Sequence, residues 1–327
     1  MDTGTHLVIG LGLAGLAHID PVVASDSTLA TAVFIGTVLG QQAPDADTLI
    51  RFRGNAAYIK NHRGKSHSLP AVALWTLLIT GLISLFFPAA SVAHLMLWVF
   101  IAVALHVFID CFNTYGTQAA YPLTEKWISW NIIHIFDPFI FVAHVIAILF
   151  WTFSLTKPEF IFTALYIIIA GYYLWRTFVH FWLQRSLPKH DPEYKTGETY
   201  YAIPTVKYNA WNVVKRIDSR SYRIGDFSGG TLRWLDQATC SDHPAAELSK
   251  QSQEIGAFTY FSSFACADVK EHKWGYEVRW VDVRYRHRKQ YPFVGVILMN
   301  TEYKVLDAYV GWLSDERLEK RLRMDSY

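Results

Sequence analysis

The run HRGKSHSLPAVALWTLLITGLISLFFPAASVAHLMLWVFIAVALHVFID, residues 62–110, decides the fold class. Its centre, 69–109, contains no Asp, Glu, Lys or Arg. It divides into two apolar stretches, 69–87 and 92–109. Each approaches the ~20 residues that a helix needs to cross the hydrocarbon layer. Where no water can satisfy backbone polar groups, such a stretch must be helical. The ends of the run differ from its middle: His62 and His67 precede the first helix, and His106 and Asp110 close the second. Two successive crossings return the chain to its starting side, so all four groups fall at one membrane face.

Four more apolar stretches lie outside this pair, at 5–17, 29–43, 136–153 and 160–183. The pattern predicts an α-helical multi-pass domain of about six spans over 1–183. The first two spans are short and suit tilted, re-entrant or sheltered helices. Met1–His6 has no positive n-region, so the first apolar segment is expected to be retained. Arg51, Arg53, Lys60, Arg63, Lys65, Lys126, Arg185 and Lys189 all flank one side, and the opposite loops carry only Lys157. The positive-inside bias then places both termini in the cytoplasm.

With that threading, the polar residues gather on the inner side. His6 opens the first span, Asp45 and Asp47 follow the second, and Asp137 opens the fifth. Imidazoles and carboxylates without sulfur donors suit zinc, manganese or a similar divalent metal. His6, Asp45, Asp47, His62, His67, His106 and Asp110 are the candidate ligands, enough for one or two ions. His106 and Asp110 are four residues apart and share a helix face. Arg63, beside a helix start, suits an anionic substrate. The polar turn Thr114, Tyr115, Thr117, together with Ser68, is expected to orient that substrate, with Asp137 as a further catalytic candidate. For Ser68 and Asp137, helix capping competes with these roles. His144 reads as a packed histidine, and Arg176 and His180 stay outside the core site.

These motifs together resemble the YdjM-type inner-membrane metal-dependent hydrolases, in their YfhP-like branch. The resemblance runs over about 1–183 and rests on Met1-Asp2 with Thr5-His6, Pro44-Asp45-Ala46-Asp47, His62 to Ser68, His106 to Asp110, Tyr115-Gly116-Thr117 and Asp137-Pro138. It implies a multi-pass membrane protein with a metal-dependent hydrolase activity, and no particular substrate.

A composition break follows. Residues 184–204 read as a polar, proline-containing linker, and 205–327 as a soluble, mostly antiparallel β (α+β) domain outside the shared pattern. Alternation predicts strands at 222–227, 231–235, 276–286, 293–300 and 304–310, with Gly229-Gly230 as a tight turn. Residues 238–256 suit a helix, and Ser314 a cap for a final helix over 315–324. Cys111, Cys240 and Cys266 lack CxxC spacing and suggest neither a disulfide framework nor a zinc ribbon.

A net charge of +2 leaves no basic footprint for nucleic acid. The expected partners are membrane lipids and a small-molecule or lipid substrate. The reading that follows is a membrane-bound hydrolase using metal-activated water on a phosphoester or lipid-linked ester. An ion transporter, or a non-catalytic anchor for the C-terminal domain, are the alternatives.

Overall fold

The computed structural model describes residues 1–286, 290–313, 321 and 322. Ten helices are present among them: α1 (Thr3–Leu16), α2 (Pro21–Ser25), α3 (Ser27–Gln42), α4 (Asn55–Asn61), α5 (Leu69–Phe86), α6 (Val92–Asp110), α7 (Pro138–Thr152), α8 (Pro158–Ser186), α9 (Pro244–Ser249) and α10 (Gln253–Phe261). Eight strands follow α8: β1 (Thr199–Pro204), β2 (Ala210–Arg216), β3 (Ser221–Ser228), β4 (Thr231–Thr239), β5 (Ala265–His272), β6 (Gly275–Asp282), β7 (Phe293–Asn300) and β8 (Val305–Trp312). Contacts divide the chain into two compact units. One holds Met1–Asp47 and Arg63–Trp182 with Pro204–Val206, and the other Thr48–His62, Leu183–Ile203 and Lys207–Tyr327.

In the first unit, side chains start the helices. Asp2, Asp26, Ser68 and Asp137 each accept hydrogen bonds from the first backbone N–H groups of α1, α3, α5 and α7. Three helical stretches are long and apolar enough to cross a membrane: Leu69–Phe86, Val92–Asp110 and Pro158–His190. Thr3–Ile19 and Pro138–Thr152 are apolar but shorter. Many large apolar side chains of α5 and α8 point outward, among them Leu77, Leu85, Ile167 and Leu174. The helices that pack inside use small residues where backbones meet. A Cβ on Gly40 of α3 would stand 2.9 Å from that of Ala102 in α6, and one on Gly15 of α1 would strike the Phe162 ring at 2.1 Å.

The second unit is built on two four-stranded sheets, each with its strands in sequence order. The pairs from β2 to β4 and from β5 to β8 are antiparallel. Gly229 and Gly230, at φ 58° and 80°, make the left-handed turn that joins β3 to β4. Strand β7 is buried on both faces. Phe293, Ile297 and Met299 join one cluster with Phe258 of α10 and with Ala56 and Ile59 of α4, while Val294, Val296 and Leu298 enter another. That double burial explains its unbroken apolar run.

Several expectations change here. Strands β1, β2 and β5 carry buried polar or short residues that broke the alternation, and β1 lies within the stretch read as a linker. The strand expected to reach residue 286 stops at Asp282, whose carboxylate caps a 3-10 turn at Val283–Tyr285. Cys240 and Cys266 form a disulfide, contrary to the spacing argument. The bridge ties the end of β4 to β5, where Ser241 N–H also donates to the Ala267 carbonyl at 2.8 Å. Only the meeting of the two sheets brings these distant thiols together. The helix expected at 315–324 lies mostly outside the described residues.

A buried ion cluster anchors the segment before β1. Lys215 donates to Asp191 and pairs with Glu198, both at 2.8 Å, and Tyr200 and Trp234 also bond Asp191. Burial opposes ionisation of Asp191, but the Lys215 and Tyr200 bonds bring its carboxyl down to about 2. Folding thus favours the ionised form. The stability it contributes is complete above the unfolded aspartate value, ~3.9, and is lost as pH falls through the folded value. Asp191→Asn is expected to lower the melting temperature at neutral pH and to flatten its fall below about pH 4, measured by thermal scans of the full chain. In the membrane half, Gly15→Val should destabilise by ~1–3 kcal/mol through overpacking against Phe162. Gly81→Ala, where a Cβ meets nothing within 4 Å, should be neutral or stabilising in the same assay.

Candidate metal centre

The cluster begins with α6. His106 and Asp110 sit one turn apart on its last turns, both fully buried. His67 comes from the 3-10 turn Lys65–His67 just before α5, and Asp45 and Asp47 come from the 3-10 segment Pro44–Arg53 that follows α3. Asp45, His67, His106 and Asp110 each offer a donor atom within 4.8 Å of all the others.

The individual separations are narrow. His67 Nε2 lies 3.2 Å from His106 Nε2, 3.4 Å from Asp45 Oδ1 and 3.6 Å from Asp110 Oδ2. His106 Nε2 lies 3.7 Å from Asp45 Oδ1 and 3.6 Å from Asp110 Oδ2. Four donors ~2.1 Å from a common centre in a tetrahedron would be about 3.4 Å apart.

Hydrogen bonds behind the cluster orient both rings. His106 Nδ1 lies 2.8 Å from the Gln41 carbonyl oxygen, so it carries the proton and donates. His67 Nδ1 lies 2.9 Å from Ser66 Oγ, whose hydroxyl in turn donates to Asp47. With both Nδ1 atoms donating, two Nε2 lone pairs face each other. Asp45 Oδ1 and Asp110 Oδ2 are buried beside them without a hydrogen-bond partner. Lone pairs and carboxylate oxygens left together out of water are costly unless a cation sits among them. The residues therefore fit a divalent ion.

Electrostatics agree. Burial drops the His67 imidazole to about 3, leaving it neutral and able to coordinate near neutral pH.

A second layer surrounds the four. His6 stacks on His106 with ring centroids 3.7 Å apart, and its Nε2 is 3.4 Å from Asp110 Oδ1. Its Nδ1 meets the Gln41 side-chain oxygen at 3.0 Å. The Met1 amino group contacts Asp110 and lies 3.1 Å from His6 Nε2. Arg63, buried and held at φ 61°, points its guanidinium inward. Its Nε is 3.5 Å from Asp110 Oδ2, and its terminal nitrogens donate to Asn113 Oδ1 at 3.2 Å and to the Met1 carbonyl at 2.7 Å.

The other residues singled out from sequence are placed as follows. Asp47 accepts from the Arg63 backbone N–H at 2.9 Å. Thr117 donates to the Arg63 carbonyl at 2.9 Å, and Tyr115 presents its ring 5.9 Å from the Arg63 guanidinium. Thr114 is buried, and its carbonyl accepts from Ser129 at 3.0 Å. Ser68 caps α5 and donates to the Lys65 carbonyl at 2.7 Å. Asp137 caps α7 and accepts from the Tyr172 hydroxyl at 2.8 Å. His62 ends α4 in the second unit and stacks on Tyr58. Gln41 was not singled out. The signal for Gln41 was a long amide closing an otherwise apolar helix.

Residues 1–183 match the model of the YdjM inner membrane protein family. The chain belongs to that family. Residues 244–322 match the YfhP C-terminal alpha/beta plait domain, so the second half has a family relationship that its strand pattern did not disclose. Over 330 residues the chain is 41% identical to "Uncharacterized protein YfhP" of Bacillus subtilis (strain 168), covering 100% of each chain. No solved structure matches.

Metal analysis of the purified protein checks the centre. The wild type is expected to retain a divalent ion, and His106→Ala and Asp45→Asn to lose at least about tenfold in affinity. Asp137→Ala is expected to keep the metal and instead to lose about 1 kcal/mol of stability with its helix cap.

Proposed function

We propose that this membrane protein is a metal-dependent hydrolase acting on a phosphoester or a lipid-linked ester. The observation that carries the reading is the convergence of two oriented imidazole Nε2 atoms and two carboxylate oxygens on one buried point. A divalent ion bound there supplies Lewis acidity and lowers the pKa of water. Asp45, His67, His106 and Asp110 are the proposed ligands, with His6 and Asp47 supporting them.

The chain's own groups then divide the work. Arg63 brings a permanent, forked cation to the rim of the cluster, suited to an anionic oxygen of the substrate. Tyr115, Thr117 and Asn113 hold the guanidinium and its backbone in place. The Asp47–Ser66–His67 relay keeps the proton on His67 Nδ1 and so keeps Nε2 available. Asp45 retains 14% side-chain exposure, while Asp110 and both histidines are sealed. The reading includes six crossings, with termini and cluster at the cytoplasmic face. It is supported by the Lys and Arg distribution and by the apolar helices.

One observation favours a second reading. Four protein donors near tetrahedral spacing form a closed set, as in structural metal sites. On that reading the ion holds the helix ends together without catalysis. Hydrolysis assays separate the two. Protein loaded with zinc or manganese is expected to cleave lipid phosphoesters, and His67→Ala and Asp110→Asn to lose at least ~100-fold in kcat/KM, as when an electrostatic contributor to catalysis is removed. Full metal loading without turnover across soluble and lipid phosphoesters and carboxylic esters would leave the structural role.

A further inference from the structure

Beside the metal centre, α1, α6, α7 and α8 enclose a groove of about 610 Å³. Ile9, Phe112, Ile140, Ile169, Tyr173 and Leu174 form much of its wall. Phe108, Leu174 and Phe181 at its rim are exposed on the outside of the helix bundle. Two of its walls, α6 and α8, belong to the stretches long and apolar enough to span a membrane. The volume lies within the range of small-ligand pockets.

We propose that this groove binds a hydrocarbon chain of an anionic phospholipid whose headgroup reaches the metal centre. The proposal deepens the hydrolase reading, on which it rests for the headgroup's fate, by making a membrane lipid the substrate class.

Three observations argue for that occupant. First, the lining is apolar, and a cavity in a membrane-spanning wall exchanges with lipid chains more readily than with water. Second, the groove abuts the cluster. Tyr173 in its wall donates to Met1 Sδ at 3.6 Å, and the Met1 amino group touches Asp110, while Ile109 in its wall precedes Asp110 in the chain. Arg63, next to Asp110, and buried Arg176, one turn beyond Tyr173 and bonded to the Ile132 carbonyl at 3.3 Å, add positive charge near that end. Charge at one end and hydrocarbon along the rest match an anionic amphiphile.

Third, the groove contains a feature that loose packing does not explain. His144 is fully buried in its wall, halfway along α7. Its Nδ1 donates to the Ile140 carbonyl at 2.7 Å, leaving Nε2 as an acceptor without a partner. An ionisable side chain inside a membrane domain is costly and marks a functional surface. A hydroxyl or amide N–H of the bound lipid, or one water carried in with it, would satisfy that atom.

The test uses the full chain in phosphatidylcholine nanodiscs doped with phosphatidylglycerol that bears a diazirine in one acyl tail. After photolysis, adducts are mapped by peptide mass spectrometry. Labelling of 105–112 and 166–181 is expected to exceed that of the exposed α5 face around Leu77 by at least fivefold. Ala170→Trp, which fills the groove, should reduce it at least fivefold with metal content unchanged. Leu77→Trp should leave it unaltered. Groove labelling no richer than that of α5 would overturn the proposal. So would equal groove labelling by a diazirine alkane without a headgroup, or persistence of the adducts in a folded, metal-loaded Ala170→Trp protein. Should Ala170→Trp fail to fold, the wild-type enrichment and the alkane comparison decide alone. Neither needs turnover, so a protein that binds the lipid yet cleaves none of the esters tested above defeats the hydrolase reading and leaves the groove assignment standing.

Discussion

Two carboxylate oxygens, Asp45 Oδ1 and Asp110 Oδ2, are held out of water with no hydrogen-bond donor of their own. The architecture around them follows from that constraint. Uncompensated, each would cost several kcal/mol. The chain places cationic and polar groups on every other side: the Met1 amino group and Arg63 at Asp110, and the His67 and His106 imidazoles between the two acids. All four donors converge on one point, and their spacing and chemistry suit a divalent ion.

The orientation of the histidines shows how little freedom that point has. Gln41 accepts from His106 through its backbone and meets His6 through its side chain, and its own amide donates to the Ala102 carbonyl at 2.8 Å. One residue at the end of α3 thus aligns rings from α1 and α6. Close approach of these helices makes this possible, since Gly40 packs against Ala102 with no room for a Cβ. Small residues in the packing interface and ring orientation in the site are two parts of one arrangement.

On the proposed reading, the groove beside the cluster would receive a lipid chain within the bilayer while the headgroup meets the cluster at its edge. Aromatic side chains of α8, led by Phe162, Tyr166 and Tyr173, pack toward the bundle, while Leu174 and Phe181 face outward.

Much of this was legible in the chain itself. Apolar runs of about 20 residues without charge define helices, because a strand crosses lipid in about half that length, and the return of α5 and α6 to one side already aligns His67 with His106 and Asp110. The tight Gly229-Gly230 turn, the alternation of β3, β4, β6 and β8 and the apolar run of β7 are local properties and could be read as such. Tertiary structure alone decided the rest. Periodicity cannot say that Asp137 bonds Tyr172 while Asp110 faces the centre, since both are acids at the ends of apolar helices. Nor can spacing reveal that Cys240 meets Cys266, or that Ala56 and Ile59 pack with Phe258 and Ile297. Hydrophobic pattern and turn chemistry act through neighbours in sequence. Ligand choice, disulfide pairing and core membership depend on which distant segments share a few ångströms of space, and only the folded chain brings them there.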